Sequence, residues 1–114
     1  MDNLRVHVAS SGAYAVITVA GDVDATTTGQ LHEAVVRARE ISAHLVFDLA
    51  EMTFMDSAGI RVLLDAFHHT QTEGGSIALS GPRPSPRKVM ELVGLADHIP
   101  IYDSPAEAVA GGPA

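Results

Sequence analysis

The chain has 114 residues, 46% apolar but only 4% aromatic, so the expectation is one ordinary core built from Val, Ile, Leu and Ala. Its 14 acidic residues against 7 basic ones give a formal charge of -7, which disfavours general binding to nucleic acid or anionic lipid. The absence of cysteine excludes disulfides, thiolate nucleophiles and zinc-thiolate sites.

The amino terminus, Met1 to Arg5, has no basic region followed by an apolar stretch. No run approaches the roughly 20 apolar residues of a membrane span, so a cytoplasmic location without membrane insertion is expected. Leu4, Val6 and Val8 alternate with Arg5 and His7, the period of a half-buried strand. Turn chemistry at Ser10-Ser11-Gly12-Ala13 leads into a richer apolar strand from Tyr14 to Ala20, and the pair predicts an antiparallel hairpin.

Gly21-Asp22-Val23-Asp24 is read as the end of that strand. Thr26, Thr27 and Thr28 offer helix caps ahead of Leu31, Ala34, Val35 and Ala38, whose i, i+3, i+4, i+7 spacing predicts an amphipathic helix to about Ile41. Leu45 to Leu49 is the next strand, apolar without alternation at first, as in a strand covered on both faces. Glu51 to Asp56 reads as a loop, and Ile60, Leu63, Leu64 and Phe67 mark the clearest helix, stopped by Gly74-Gly75.

Ser76 to Ser80 predicts a short strand. Pro82, Pro84 and Pro86 then stiffen a loop into a helix carrying Val89, Leu92 and Val93, closed by Gly94. Ile99 and Ile101 flank Pro100, so the last strand must be short and at a sheet edge. Ser104-Pro105-Ala106-Glu107 fits a capping box with proline at the first helical position. The order ββαβαβαβα predicts a single α/β domain over residues 1–110, a mixed sheet of about five strands with about four helices, and a flexible tail at 111–114.

The most unusual local feature is Asp56-Ser57-Ala58-Gly59, between a buried strand and the best helix. One reading makes Ser57 an ordinary cap, accepting a backbone N–H bond worth about 1 kcal/mol. The other makes it a phosphorylation site, since a helix amino terminus accommodates a dianionic phosphate. That local stabilisation is about 0.3–1 kcal/mol when exposed, whereas an unpaired double charge buried in a partner interface costs several kcal/mol. Phosphate would therefore eject a partner without unfolding the domain.

Gly21-Asp22-Val23-Asp24 with Thr27 and Leu31, then Leu45-Val46-Phe47-Asp48-Leu49, then Phe54-Met55-Asp56-Ser57-Ala58-Gly59-Ile60, resemble the STAS domain of bacterial anti-sigma factor antagonists. Arg83-Pro84-Ser85-Pro86 through Glu91-Leu92-Val93-Gly94-Leu95 fits the same family, and the resemblance runs from Leu4 to about Val109. It implies a protein that, unphosphorylated, binds an anti-sigma factor serine kinase and frees a sigma factor. The kinase then phosphorylates the antagonist and a phosphatase resets it.

Within the family pattern the phosphoacceptor is the serine directly after the motif Asp, here Ser57. Ala58 stands where the family often has a second hydroxyl, and Arg61 where it often has Gly, so Arg61 is a candidate to pair with a phosphate or a partner. Asp22 and Asp24 match positions on the partner-facing edge, although Asp also bonds its own backbone in turns. Asp56, Ala58 and Gly59 complete the expected partner surface, with Gly59 letting a partner's backbone approach. A solvated helix face is the plainer account of Arg61.

Other readings fit less well. Asp22, Asp24, Asp48, Ser80 and Lys88 mimic the phospho-aspartate pocket of a receiver domain, but the acidic pair follows the second strand and Lys88 falls within a helix. A serine hydrolase needs Gly where Met55 stands. His32-Glu33 begins a zinc protease motif that ends in Val36, His68 and His69 cannot share one helix face, and no P-loop follows Gly21 or Gly74-Gly75. The chain is thus expected to be a binding module without cofactor or metal, not an enzyme. The serious competitor within the same fold is an accessory subunit of a lipid-transport ABC system or of a stress-signalling assembly.

Overall fold

The computed structural model describes residues 4–111. Its elements are β1 (Arg5–Ser11), β2 (Tyr14–Val23), α1 (Thr28–Ile41), β3 (His44–Met55), α2 (Ser57–Thr72), β4 (Ser76–Ser80), α3 (Pro84–Leu92), a 3-10 turn at Leu95–Asp97, β5 (Ile101–Tyr102) and α4 (Pro105–Ala110). The predicted order ββαβαβαβα holds, and the five strands form one mixed sheet in the order β1-β2-β3-β4-β5. Gly111 closes α4, its N–H donating to the Glu107 carbonyl at 2.9 Å. The remainder of the expected tail, 112–114, and the extreme amino terminus lie outside the described residues.

The β1–β2 hairpin is antiparallel, as the turn at Gly12 requires, and β3, β4 and β5 add in parallel. Parallel strands joined through helices are covered, and the apolar residues of β2, β3 and β4 follow from that. Ile17, Val19, Phe47, Leu49 and Leu79 pack on one face with Leu31, Ala34 and Ala38 of α1 and Ile60, Leu63 and Ala66 of α2. The opposite face carries a smaller cluster, Tyr14, Val46, Ala78 and Ala108, beneath α4. β5 is two residues long at the sheet edge, where Pro100 costs no ladder bond.

Three expectations change. Gly21 to Val23 do not end β2: the strand continues to Val23, and β3 runs on through the expected loop to Met55. The two ladders stay paired because irregularities between Thr18 and Ala20 and between Gly21 and Asp22 re-aim the polar residues outward while returning Val23 and Met55 to the core. Thr27 occupies the cap position of α1 without capping it. Its buried hydroxyl instead donates to the Asp22 carbonyl at 3.0 Å and accepts from the Asp24 N–H at 2.9 Å, tying the β2–α1 turn together.

The third change is in α3, where Pro86 and Met90 turn inward while Leu92 and Val93 are 77% and 57% exposed. By contrast Ser104 caps α4 as expected, accepting from the Glu107 N–H at 3.2 Å.

Candidate functional site

The candidate residues gather where β2 and β3 end side by side. Val23 and Met55 are the last pair of that ladder, and the Asp56 N–H donates to the Val23 carbonyl at 3.2 Å, which pins the start of α2 to the end of β2. Asp56 has extended backbone (φ -104°, ψ -169°) and is the cap of α2: its Oδ1 accepts from the Ala58 N–H at 2.9 Å. Its carbonyl accepts from Gly59 and Ile60 N–H at 3.1 and 3.2 Å.

The expectation that Ser57 is the cap is therefore corrected. A cap must come from a residue still outside the helix, and Ser57 is already the first helical residue. Ser57 is exposed, and among the described residues its hydroxyl makes no hydrogen bond. The side chain is free for chemistry because the residue before it does the structural work.

Gly59 also has a different reason for being glycine. It is buried, and a Cβ there would lie 2.7 Å from Val23 Cγ1 and 2.8 Å from Met55 Cγ. Its smallness lets α2 approach the ends of β2 and β3.

Ser57, Arg61 and Asp65 follow one another at four-residue intervals along α2 and share one face. They open on a groove of about 490 Å³ whose other wall is α1, with Thr28 and His32. Arg61 is exposed and makes no ion pair among the described residues. Ala58 borders the same groove. His32, read from the sequence only as half of a failed metal motif, was missed as a wall of this groove. The available signal was its position four residues after Thr28 and one after buried Leu31, on the flank of α1.

Asp22, near the end of β2, and Asp24, just after it, stand apart from this groove. Asp22 Oδ1 accepts from the Thr53 hydroxyl at 2.5 Å, and Asp22 lines a separate depression with Arg5, Glu51 and Arg83. Asp24 Oδ1 accepts from the Thr26 hydroxyl at 2.6 Å and from the Thr26 N–H at 2.9 Å. These bonds, the hydroxyl's first, hold the Asp24 carboxyl below its ordinary value. Its side chain is occupied by the turn that positions α1.

The receiver-like set does not assemble: Ser80 is buried and donates to the Phe47 carbonyl at 3.3 Å, Asp48 accepts from the Ala50 N–H at 3.2 Å, and Lys88 is exposed on α3. Among the described residues no helix is long and apolar enough to cross a membrane.

Comparison with known proteins gives the family of the chain. An anti-sigma F factor antagonist of Paenibacillus polymyxa is 27% identical over 111 residues, covering 94% of this chain and 93% of the relative. An anti-sigma-B factor antagonist of Listeria monocytogenes is 33% identical over 93 residues, 80% of this chain and 81% of its own. In three dimensions the crystal structure of an anti-sigma factor antagonist from Mycobacterium paratuberculosis superposes with a TM-score of 0.86 at 24% identity, covering 95% of this chain and 92% of that one. With the STAS domain profile matching residues 5–108, the chain belongs to the STAS domain family.

Proposed function

We propose that this chain is an anti-sigma factor antagonist that binds an anti-sigma factor serine kinase when Ser57 is free and is released when Ser57 carries phosphate. A phosphatase resets it, and the kinase chemistry belongs to the partner. The observation that carries this reading is the division of labour at the start of α2. Asp56 holds the cap, so the exposed Ser57 hydroxyl can be modified without breaking a bond of the fold. The relatives in Paenibacillus and Listeria, both anti-sigma factor antagonists, support the antagonist part of this reading.

Phosphate adds close to two negative charges to a surface that already includes Asp56 and, along the groove, Asp65. Burying that charge in an interface costs more than the helix terminus returns, so partner release is the favoured outcome. Peptide-level mass spectrometry of the protein from its native cells, with and without phosphatase, should find a single phosphate on Ser57. With the kinase as partner, Ser57→Ala should bind and stay bound, whereas Ser57→Asp should fold but bind weakly. Equal affinity of the two variants would refute the switch.

A further inference from the structure

We infer that the phosphate of phosphorylated Ser57 does not project into solvent but lies in the α1–α2 groove, held by Arg61 and His32. This rests on the reading of Ser57 as a phosphoacceptor and concerns what its phosphate then touches. Arg61 is one helical turn from Ser57 on the same face, and His32 stands across the groove on α1, so the two reach the same space from opposite walls.

Both are uncommitted. Elsewhere in this acidic chain Arg39 is paired with Glu73, Arg87 with Glu91, and Arg83 donates to the Ala50 carbonyl at 3.0 Å, while Arg5, Arg37 and Lys88 are unpaired among the described residues but do not border this groove. Arg61 and His32 make no hydrogen bond or ion pair among the described residues, although Asp65 opens on the same groove one turn beyond Arg61. Asp65 tempers the positive field there without holding either group.

A guanidinium suits a phosphate because its fork donates two parallel N–H bonds, and an imidazole beside a phosphate dianion gains its second proton readily. The Ser57 N–H, which has no partner among the described residues while Asp56 holds those of Ala58, Gly59 and Ile60, adds a third donor. Phosphorylation would then do two things to a partner surface. It adds negative charge, and it also occupies the groove and consumes Arg61 as a free cation.

The test uses the full chain with phosphoserine installed at position 57 during translation, so that no cellular kinase is required. Phosphorus NMR titration reads the second ionisation of the phosphate, and the His32 ring protons are followed in parallel. The phosphate midpoint should fall by about one pH unit relative to a phosphopeptide spanning residues 54–62. Arg61→Ala and His32→Ala should each move it back toward the peptide value, and the His32 midpoint should rise on phosphorylation.

A phosphate midpoint equal to the peptide's would overturn the proposal. So would a lowered midpoint that neither substitution changes, because the helix terminus alone would then account for it. A His32 midpoint that is the same in both forms would remove His32 from the clamp and overturn it as stated. Failure of the switch itself would appear elsewhere, as native protein without phosphate on Ser57.

Discussion

The two ends of α2 both press a glycine against the sheet, yet one end is closed and the other is open for chemistry. At the carboxyl end a Cβ on Gly75 would lie 1.9 Å from the Ala43 carbonyl oxygen, a clash with backbone. The chain turns there through Gly74 (φ +74°), with Gly75 N–H bonded to the Thr70 carbonyl at 2.7 Å and Gly74 N–H to that of Gln71 at 3.4 Å, the Schellman pattern. Arg39 of α1 reaches Glu73 at 2.5 Å across the same corner.

At the amino end Gly59 meets side chains, Val23 and Met55, and Asp56 satisfies the helix with a single carboxylate. Every group at the far corner serves the fold, whereas at the near corner the first helical side chain is left over. A functional serine can sit at a helix start when its neighbour is the cap.

The strongest way to break this comparison is Gly75→Val. Because the obstacle is the Ala43 carbonyl, just before β3, which already accepts the Ser76 N–H at 3.1 Å, the variant should lose about 3 kcal/mol or more, read as a lower urea midpoint. Gly59→Val should cost less, about 2 kcal/mol, since the obstacles there are the Val23 and Met55 side chains and not backbone. A larger loss for Gly59→Val than for Gly75→Val would reverse the ranking of the two corners.

Asp56→Ala should cost about 1 kcal/mol by removing the cap, while Ser57→Ala should stay within about 0.5 kcal/mol of the parent. If Ser57→Ala proved the more damaging of the two by thermal denaturation, the assignment of the cap would be wrong. The smallest effect belongs to Glu73→Gln. The hydrogen bond from Arg39 holds the Glu73 carboxyl below its ordinary value, so its contribution is present above the unfolded pKa and lost as pH falls through the lower folded one. The parent's stability should therefore decline in acid more steeply than the variant's.

Several elements were legible because local chemistry alone specifies them. Ser76–Ser80 was bounded correctly since a short apolar run stands between a Gly-Gly stop and a proline. Leu31, Ala34, Val35 and Ala38 all proved buried because their spacing sweeps one side of α1. The ends of β2 and β3 were read as loops because Gly21, Asp22 and Glu51 have poor strand propensity. Ladder bonds to a parallel neighbour, distant in sequence, override it there. In α3 a nine-residue helix gave too few turns to choose between Met90 and the pair Leu92 and Val93 as its inner face.

The same division runs through the site. Residue order alone was enough to place Asp56, Ser57 and Gly59 at a strand-to-helix junction, because hydrophobic periodicity changes there from covered strand to amphipathic helix. Which of them caps the helix, which is packed inside and which remains exposed depended on backbone angles and on contacts with Val23, a residue more than thirty positions away. The spacing of His32 places it on the flank of α1, but the groove that joins it to Ser57 and Arg61 had no signature along the chain. It exists because α1 and α2 are laid on the same face of one sheet, and nothing in the local sequence of either helix encodes the side chains of the other.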